Sequence, residues 1–278
     1  MAVFRLYSEL VVIPRRVCAE KNRKIFMLDI YNNKFTKDEK YLNRGFIAGI
    51  SLLFLFYMFI PALLSGSHRL LAGLNEMPKS LMILIVCFPP PLLSLAALLI
   101  IFKFTDRRKS LFEKLGLNKW HLSNFWICVA VCVFMLGISA VTTINFKKIL
   151  DFFEITCRPP AFLTLALSCD TTGFILLSIA AAIIAPVSEE ILFRRVIYGF
   201  VAARIGIVGS IIFTSLLFAM IHDSFAQFPA LFLLGVAFQL TYLHFHSLYP
   251  AIVLHFLNNA AAVCAILLVR IFNIPLLQ

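Results

Sequence analysis

Apolar residues in this 278-residue chain are gathered into long blocks rather than spread as amphipathic stripes, and most polar residues fall between the blocks. A helix that crosses a bilayer core needs about 20 consecutive, mostly apolar residues. Residues 45–64 form the first such block, 81–104 the second and 124–144 the third. Pro89, Pro90 and Pro91 interrupt the second; they remove backbone donors and predict a kink or break there. The segment 145–170 mixes charges with the Pro159-Pro160 pair and reads as too polar to span. From 172 to 272 the chain is almost continuously apolar, with turns predicted near Gly206, Asp223 and Tyr249, which leaves room for four or five helices. The pattern predicts an all-α, polytopic transmembrane bundle of about seven or eight helices, without internal repeats.

Composition removes the alternative of a large soluble core. Hydrophobic residues make up 61% of the chain and charged ones 14%, against roughly 45–50% and 25% in soluble domains. The net charge of +11 comes from 25 Lys plus Arg against 14 Asp plus Glu. No soluble basic block is interleaved with aromatics, so nucleic acid is not an expected partner. Lipid is, because basic residues collect on cytoplasmic loops. The tail 1–44 holds ten Lys plus Arg, and residues 103–123 hold six, but the loop 65–80 holds only Arg69 and Lys79. This asymmetry predicts a cytoplasmic N-terminus, and the short loops suggest a bacterial inner membrane. No cleavable leader is evident, and residues 4–18 suggest an amphipathic surface segment. The chain then divides into the basic tail 1–44, accessory helices and loops 45–171, and a core 172–278.

Among the seven cysteines, Cys87, Cys128, Cys132 and Cys264 lie in apolar runs and read as small hydrophobes. Cys157 and Cys169 share one loop, where a disulfide is open to them if that loop faces an oxidising compartment.

Candidate chemistry is confined to the last hundred residues. Glu189, Glu190, Arg194 and Arg195 sit in the apolar stretch AAIIAPVSEEILFRRVIYG, residues 181–199. Each isolated charge at the centre of a bilayer helix costs roughly 2.5–3.5 kcal/mol. Pairing, a hydrated cavity or a boundary position is therefore required. Glu190 and Arg194 are four apart and can pair on one helix face. Glu189 points about 100° away and lacks that partner, so it is left to accept a proton from water. The same cluster would also serve as an interfacial anchor, the role expected of Arg195. Two further polar pairs weigh against a purely structural reading: Phe218 and His222 in FAMIH, and His255 and Asn259 in HFLNN, the latter two one helical turn apart. Buried polar side chains need partners, and the Glu189–Arg194 cluster is the supply in this half of the chain. His244 and His246 read as boundary residues, and His68 and His121 as loop residues.

The ordered set EExxxR, FxxxH and HxxxN resembles the CAAX protease and bacteriocin-processing family, which includes the type II CAAX prenyl endopeptidases. The likeness covers about residues 172–269, and Arg195 departs from the Gly common at that position. The resemblance implies an intramembrane glutamate protease without metal or other cofactor. It implies that Glu189, helped by His222, deprotonates a water, that Glu190 and Arg194 pair to orient it, and that His255 and Asn259 supply donors to an oxyanion. Phe218 is expected to pack beside the catalytic helices and bound the substrate site. The substrate class implied is a lipidated or membrane-associated protein or peptide cleaved near its C-terminus, with peptide maturation and bacteriocin immunity as comparable roles. A zinc protease would normally carry HExxH, which is absent, although two His and two Glu on separate helices leave a metalloprotease open as an alternative. A transporter, scaffold or immunity factor is the alternative outside enzymes.

Overall fold

The computed structural model describes residues 77–103, 110–222 and 224–274. The basic tail, the amphipathic stretch at 4–18 and the predicted span 45–64 lie outside these residues. Within them the chain is helical, with no strand. Five helical stretches are long and apolar enough to cross a membrane: Lys79–Ile100, Leu122–Phe152, Thr171–Ala202, Phe225–Phe245 and Leu248–Phe272, joined by the shorter Arg204–Met220.

The first stretch is broken where its prolines predict. Helix α1 (Lys79–Val86) stops at Cys87, and α2 (Pro89–Lys103) restarts on the proline run, where a missing N–H costs nothing in a first turn. A short α3 (Leu111–Lys114) begins with a reciprocal cap between Ser110 and Glu113. Helix α4 (Phe125–Phe152) runs well past the expected end at 144. Its extra turns carry Asn145, Lys147, Lys148 and Asp151 on the exposed surface, so the polar residues lengthen the helix beyond the apolar zone instead of ending it. The rest of the polar segment holds α5 (Ala161–Ser168), which starts after Pro160. Cys157 and Cys169 are not paired: Cys157 is exposed and Cys169 is buried, with its sulfur 3.6 Å from Arg270 Nη1.

The next stretch is a composite helix. It consists of α6 (Thr171–Ile179), a π-helical segment (Ala180–Ile184), α7 (Ala185–Glu190), a second π-helical segment (Ile191–Ile197) and the start of α8 (Tyr198–Met220). Asp170 caps it by accepting from Gly173 N at 3.0 Å. The first π-segment has a cause in the sequence. Pro186 cannot donate to the carbonyl four residues back, and its ring crowds that carbonyl, which a widened turn relieves. Gly206 breaks α8 with φ of 75° and ψ of 176°, a backbone state natural only to glycine. The predicted turn at Gly206 is thus present.

Helices α9 (Phe228–Phe245) and α10 (Leu248–Phe272) complete the bundle. Four helical stretches therefore fill the apolar region after 172, within the expected four or five. Half of the most apolar window of Thr171–Ala202 is buried, against at most 28% for the other four spans. The stretch with the charged pairs is thus the most buried of the five, the central helix of the bundle. Ile191, Leu192, Phe193, Val196 and Ile197 form one core with Leu98 of α2, Met135 of α4, Phe218 of α8, Phe238 of α9 and Leu254 of α10. Helices α8 and α9 approach closely at Gly235, where an added Cβ would come within 3.1 Å of Ser215 Cα; such small-residue contacts are a common means of close packing in lipid.

The loop before α4 is tied to the α9–α10 turn. Leu248 N donates to Gly116 O at 2.9 Å, Asn118 Nδ2 to His246 O at 2.7 Å, and Ser247 Oγ to Asn118 O at 2.7 Å. These bonds put the loop and the turn on the same side of the membrane. Arg195 joins this assembly by donating from Nε to Lys114 O at 2.6 Å. It braces the central helix against the loop. Arg195→Ala is expected to cost about 1.5–3 kcal/mol of unfolding free energy, the range for hydrogen bonds to charged groups. Unfolding in detergent checks this, with loss below 0.5 kcal/mol (roughly the level of an ordinary surface substitution) counting against the brace.

Candidate active site

Glu189 and Glu190 end α7, where the π-turn that follows re-aims the side chains beyond them. Wide turns of this kind recur at functional sites. Glu190 is wholly buried and fully engaged. Arg194 Nε donates to its Oε2 at 3.0 Å, with both side chains at 0% exposure, and Arg194 Nη2 reaches Oε1 at 3.5 Å. His255 Nδ1–H donates to the same Oε1 at 3.0 Å. The acceptor is a carboxylate, so the proton is assigned to Nδ1, which leaves Nε2 as the outward-facing nitrogen.

That nitrogen faces Glu189. The distance from His255 Nε2 to Glu189 Oε2 is 4.0 Å, too long for a hydrogen bond. One water about 2.8 Å from each atom fits this separation, the usual O–H···O distance. Glu189 is 6% exposed, and its Oε2 has no hydrogen-bond donor among the described residues. Two adjacent carboxylates therefore have opposite surroundings: one is saturated with donors, and the other keeps a buried oxygen available.

Aromatic rings enclose the ion pair. The guanidinium carbon of Arg194 lies 5.2 Å from the ring centre of Phe218, 5.7 Å from that of Phe238 and 5.8 Å from that of Phe193. These are cation–π distances, and Arg194 Nη1 has no acceptor among the described residues.

His222, expected to help Glu189 hold a water, bonds to its own helix. Its Nδ1–H donates to Phe218 O at 2.7 Å, and its ring leans on Phe218 at 4.5 Å. Phe218 in turn meets His255 edge-on at 5.8 Å. The His255 imidazole comes to 4.0 Å from Glu189, and Phe218 touches both imidazoles. Asn259 is bound to the central helix: its Nδ2 donates to Ala181 O at 2.9 Å, and its Oδ1 accepts from Asn258 at 3.3 Å. The structure thus gathers Glu189, Glu190, Arg194, Phe218 and His255 into direct contact, with His222 and Asn259 at its edges. Among the described residues no three His, Cys, Asp or Glu side chains are grouped as a metal site.

Phe193 and Phe238 belong to the cluster and were not singled out from the sequence. With 29 phenylalanines in the chain, one more in an apolar helix gives no signal.

Residues 171–261 match the family model described as type II CAAX prenyl endopeptidase Rce1-like. That range includes every residue of the cluster. The membrane-embedded CAAX protease MroQ of Staphylococcus aureus (strain USA300) is 40% identical over 88 residues, which cover 30% of this chain and 36% of that protein. The match therefore spans little more than a third of the curated relative. No solved structure is significantly similar. The buried carboxylate pair, its arginine and its facing histidine all fall within the matched range, and in that segment this integral membrane protein is similar to the membrane-embedded CAAX proteases.

Proposed function

We propose that the protein is an endopeptidase in which Glu189 activates a water to hydrolyse a peptide bond of a lipidated or membrane-associated protein or peptide, near its C-terminus. The observation that carries this reading is the contrast between Glu190, which accepts from Arg194 and His255, and Glu189, whose buried Oε2 faces His255 Nε2 at 4.0 Å. A proton acceptor held in a shielded site beside a fixed imidazole is suited to general-base chemistry. The charges support it as well. Arg194 balances Glu190, so the Glu189 carboxylate is the remaining charge when His255 is neutral.

In the proposed reaction a water lies between Glu189 Oε2 and His255 Nε2. Its proton passes to Glu189 as its oxygen bonds to the substrate carbonyl carbon, and the carbonyl π electrons move onto the oxygen. Donors that meet this oxyanion are commonly the largest single catalytic contribution, and Asn259, whose amide keeps a second N–H beyond the one given to Ala181 O, is assigned to it, with His222 assigned to the water beside Glu189. Collapse of the intermediate breaks the C–N bond, and Glu189 returns its proton to the leaving amine. Glu190 and Arg194 act through His255 and hold its tautomer and ring. No metal has a role in this scheme. The tail 1–44 and the loop 103–123 are assigned to the cytoplasmic side of a bacterial inner membrane by their basic residues.

The test is a peptide panel presented to the purified protein in proteoliposomes, with C-terminally prenylated and unmodified members, and both fragments identified by mass spectrometry. Cleavage of lipid-anchored members at a bond near the C-terminus, unaffected by a metal chelator, is the expected result. Cleavage lost on chelation and restored by zinc would overturn the metal-free scheme. An inert protein that binds the peptides intact would favour a scaffold or immunity role.

A further inference from the structure

Helix α9 contributes none of the polar residues of the site, yet one of its side chains lies against both halves of it. Phe238 is 1% exposed. Its ring is stacked on the His255 imidazole, with centres 4.6 Å apart and planes at 21°. The same ring lies 5.7 Å from the Arg194 guanidinium carbon and edge-on to Phe218 at 5.9 Å and 88°.

The stack supplies something that the hydrogen bonds do not. The bond from Nδ1 to Glu190 fixes one atom of the imidazole. The ring can still rock about that anchor, and Nε2, on the far side, moves most. The torsion that turns an imidazole is broad, with no sharp staggered well to hold it. Phe218 meets the ring edge-on at 74° and bounds its sideways movement. A flat surface against the face of the ring sets its plane, and Phe238 is the one stacked there.

We propose that Phe238 is a positioning residue that fixes the plane of His255 and so the placement of Nε2 over Glu189. This inference rests on the reading of Glu189 as base, and acts through it. A misplacement of about 1 Å at a reacting group can cost about 10²-fold in rate, so losing the stack is expected to act on kcat and to spare KM.

Truncation to Ala would open a cavity and confuse function with folding. The informative variants are Phe238→Leu and Phe238→Met, which keep apolar bulk without a flat face, and Phe238→Trp, which keeps the face. The Leu and Met variants are expected to lose about 10- to 100-fold in kcat at unchanged KM, with the Trp variant closer to wild type. If the Leu variant fails to fold, the Met variant is read in its place. Histidine-selective nitrogen NMR of the substrate-free protein gives a second reading that needs no cleavage. The wild type is expected to show His255 as a single Nδ1-protonated tautomer, and the Leu or Met variant a mixture or a broadened signal. Unchanged NMR signals, or a kcat equal to wild type in the Leu or Met variant, would overturn the inference. A Glu189→Gln control separates the two levels. If it is inactive and Phe238→Leu is fully active, only the positioning role fails; if it retains full activity, the reading of Glu189 fails first.

Discussion

Replacing Glu189 by Gln is expected to lower the cleavage rate by about 10²–10⁴-fold, the range that general-base catalysis contributes, with the folded protein as stable as wild type. The substitution keeps shape and volume and removes the proton acceptor. Stability is spared because the Oε2 atom accepts no hydrogen bond from the described residues, so no native bond is broken. Removing a charge that is 6% exposed relieves a desolvation cost, so the melting temperature is expected to hold or rise. Rate and melting temperature measured on one preparation check this. A variant that loses both together would make Glu189 a structural residue, and the proposed chemistry would lose its base.

Replacing Arg194 by Ala is expected to have the opposite profile. Arg194 and Glu190 are both 0% exposed and 3.0 Å apart. Removing one member of a buried pair strands the other, at a cost of about 3–5 kcal/mol. Only His255 would remain to donate to Glu190, and the three rings around the guanidinium would border a cavity. Activity is expected to fall with stability, because Glu190 would no longer hold His255 in place. The double variant Glu190→Ala, Arg194→Ala is expected to be less destabilised than the sum of the two singles, since neither charge is then stranded. Unfolding in detergent of the four proteins reads this cycle. An Arg194→Ala protein as stable as wild type would mean that the ion pair contributes nothing.

What the sequence could reveal follows from the physical range of each signal. Membrane spans are legible because a block of about 20 apolar residues is a local property. The break at Pro89 and the turn at Gly206 are legible because their residues restrict or free their own backbone. The Glu190–Arg194 pair is legible because four residues on a helix are neighbours wherever the helix lies. Contacts between helices are less so. That His222 and His255 would meet polar partners followed from burial, but how each ring stands to Glu189 depends on the rotation of three helices, which no local pattern encodes. The bond of Arg195 to the loop was not legible because its partner is a backbone carbonyl 81 residues away, and any residue supplies one of those. The extension of α4 through Lys147 and Lys148 was missed because charges end an apolar block without ending a helix. The first π-segment has a visible cause in Pro186; for the second, at Ile191–Ile197, no residue in the sequence accounts.

The central claim is that Glu189 draws a proton from water during peptide hydrolysis. It is tested most directly by mass spectrometry of peptide fragments made in heavy-oxygen water by wild-type and Glu189→Gln proteoliposomes containing equal amounts of folded protein. The account expects wild-type fragments with one heavy oxygen in the new carboxyl group, and none above background from the variant. Fragments formed at the wild-type rate by Glu189→Gln would contradict it.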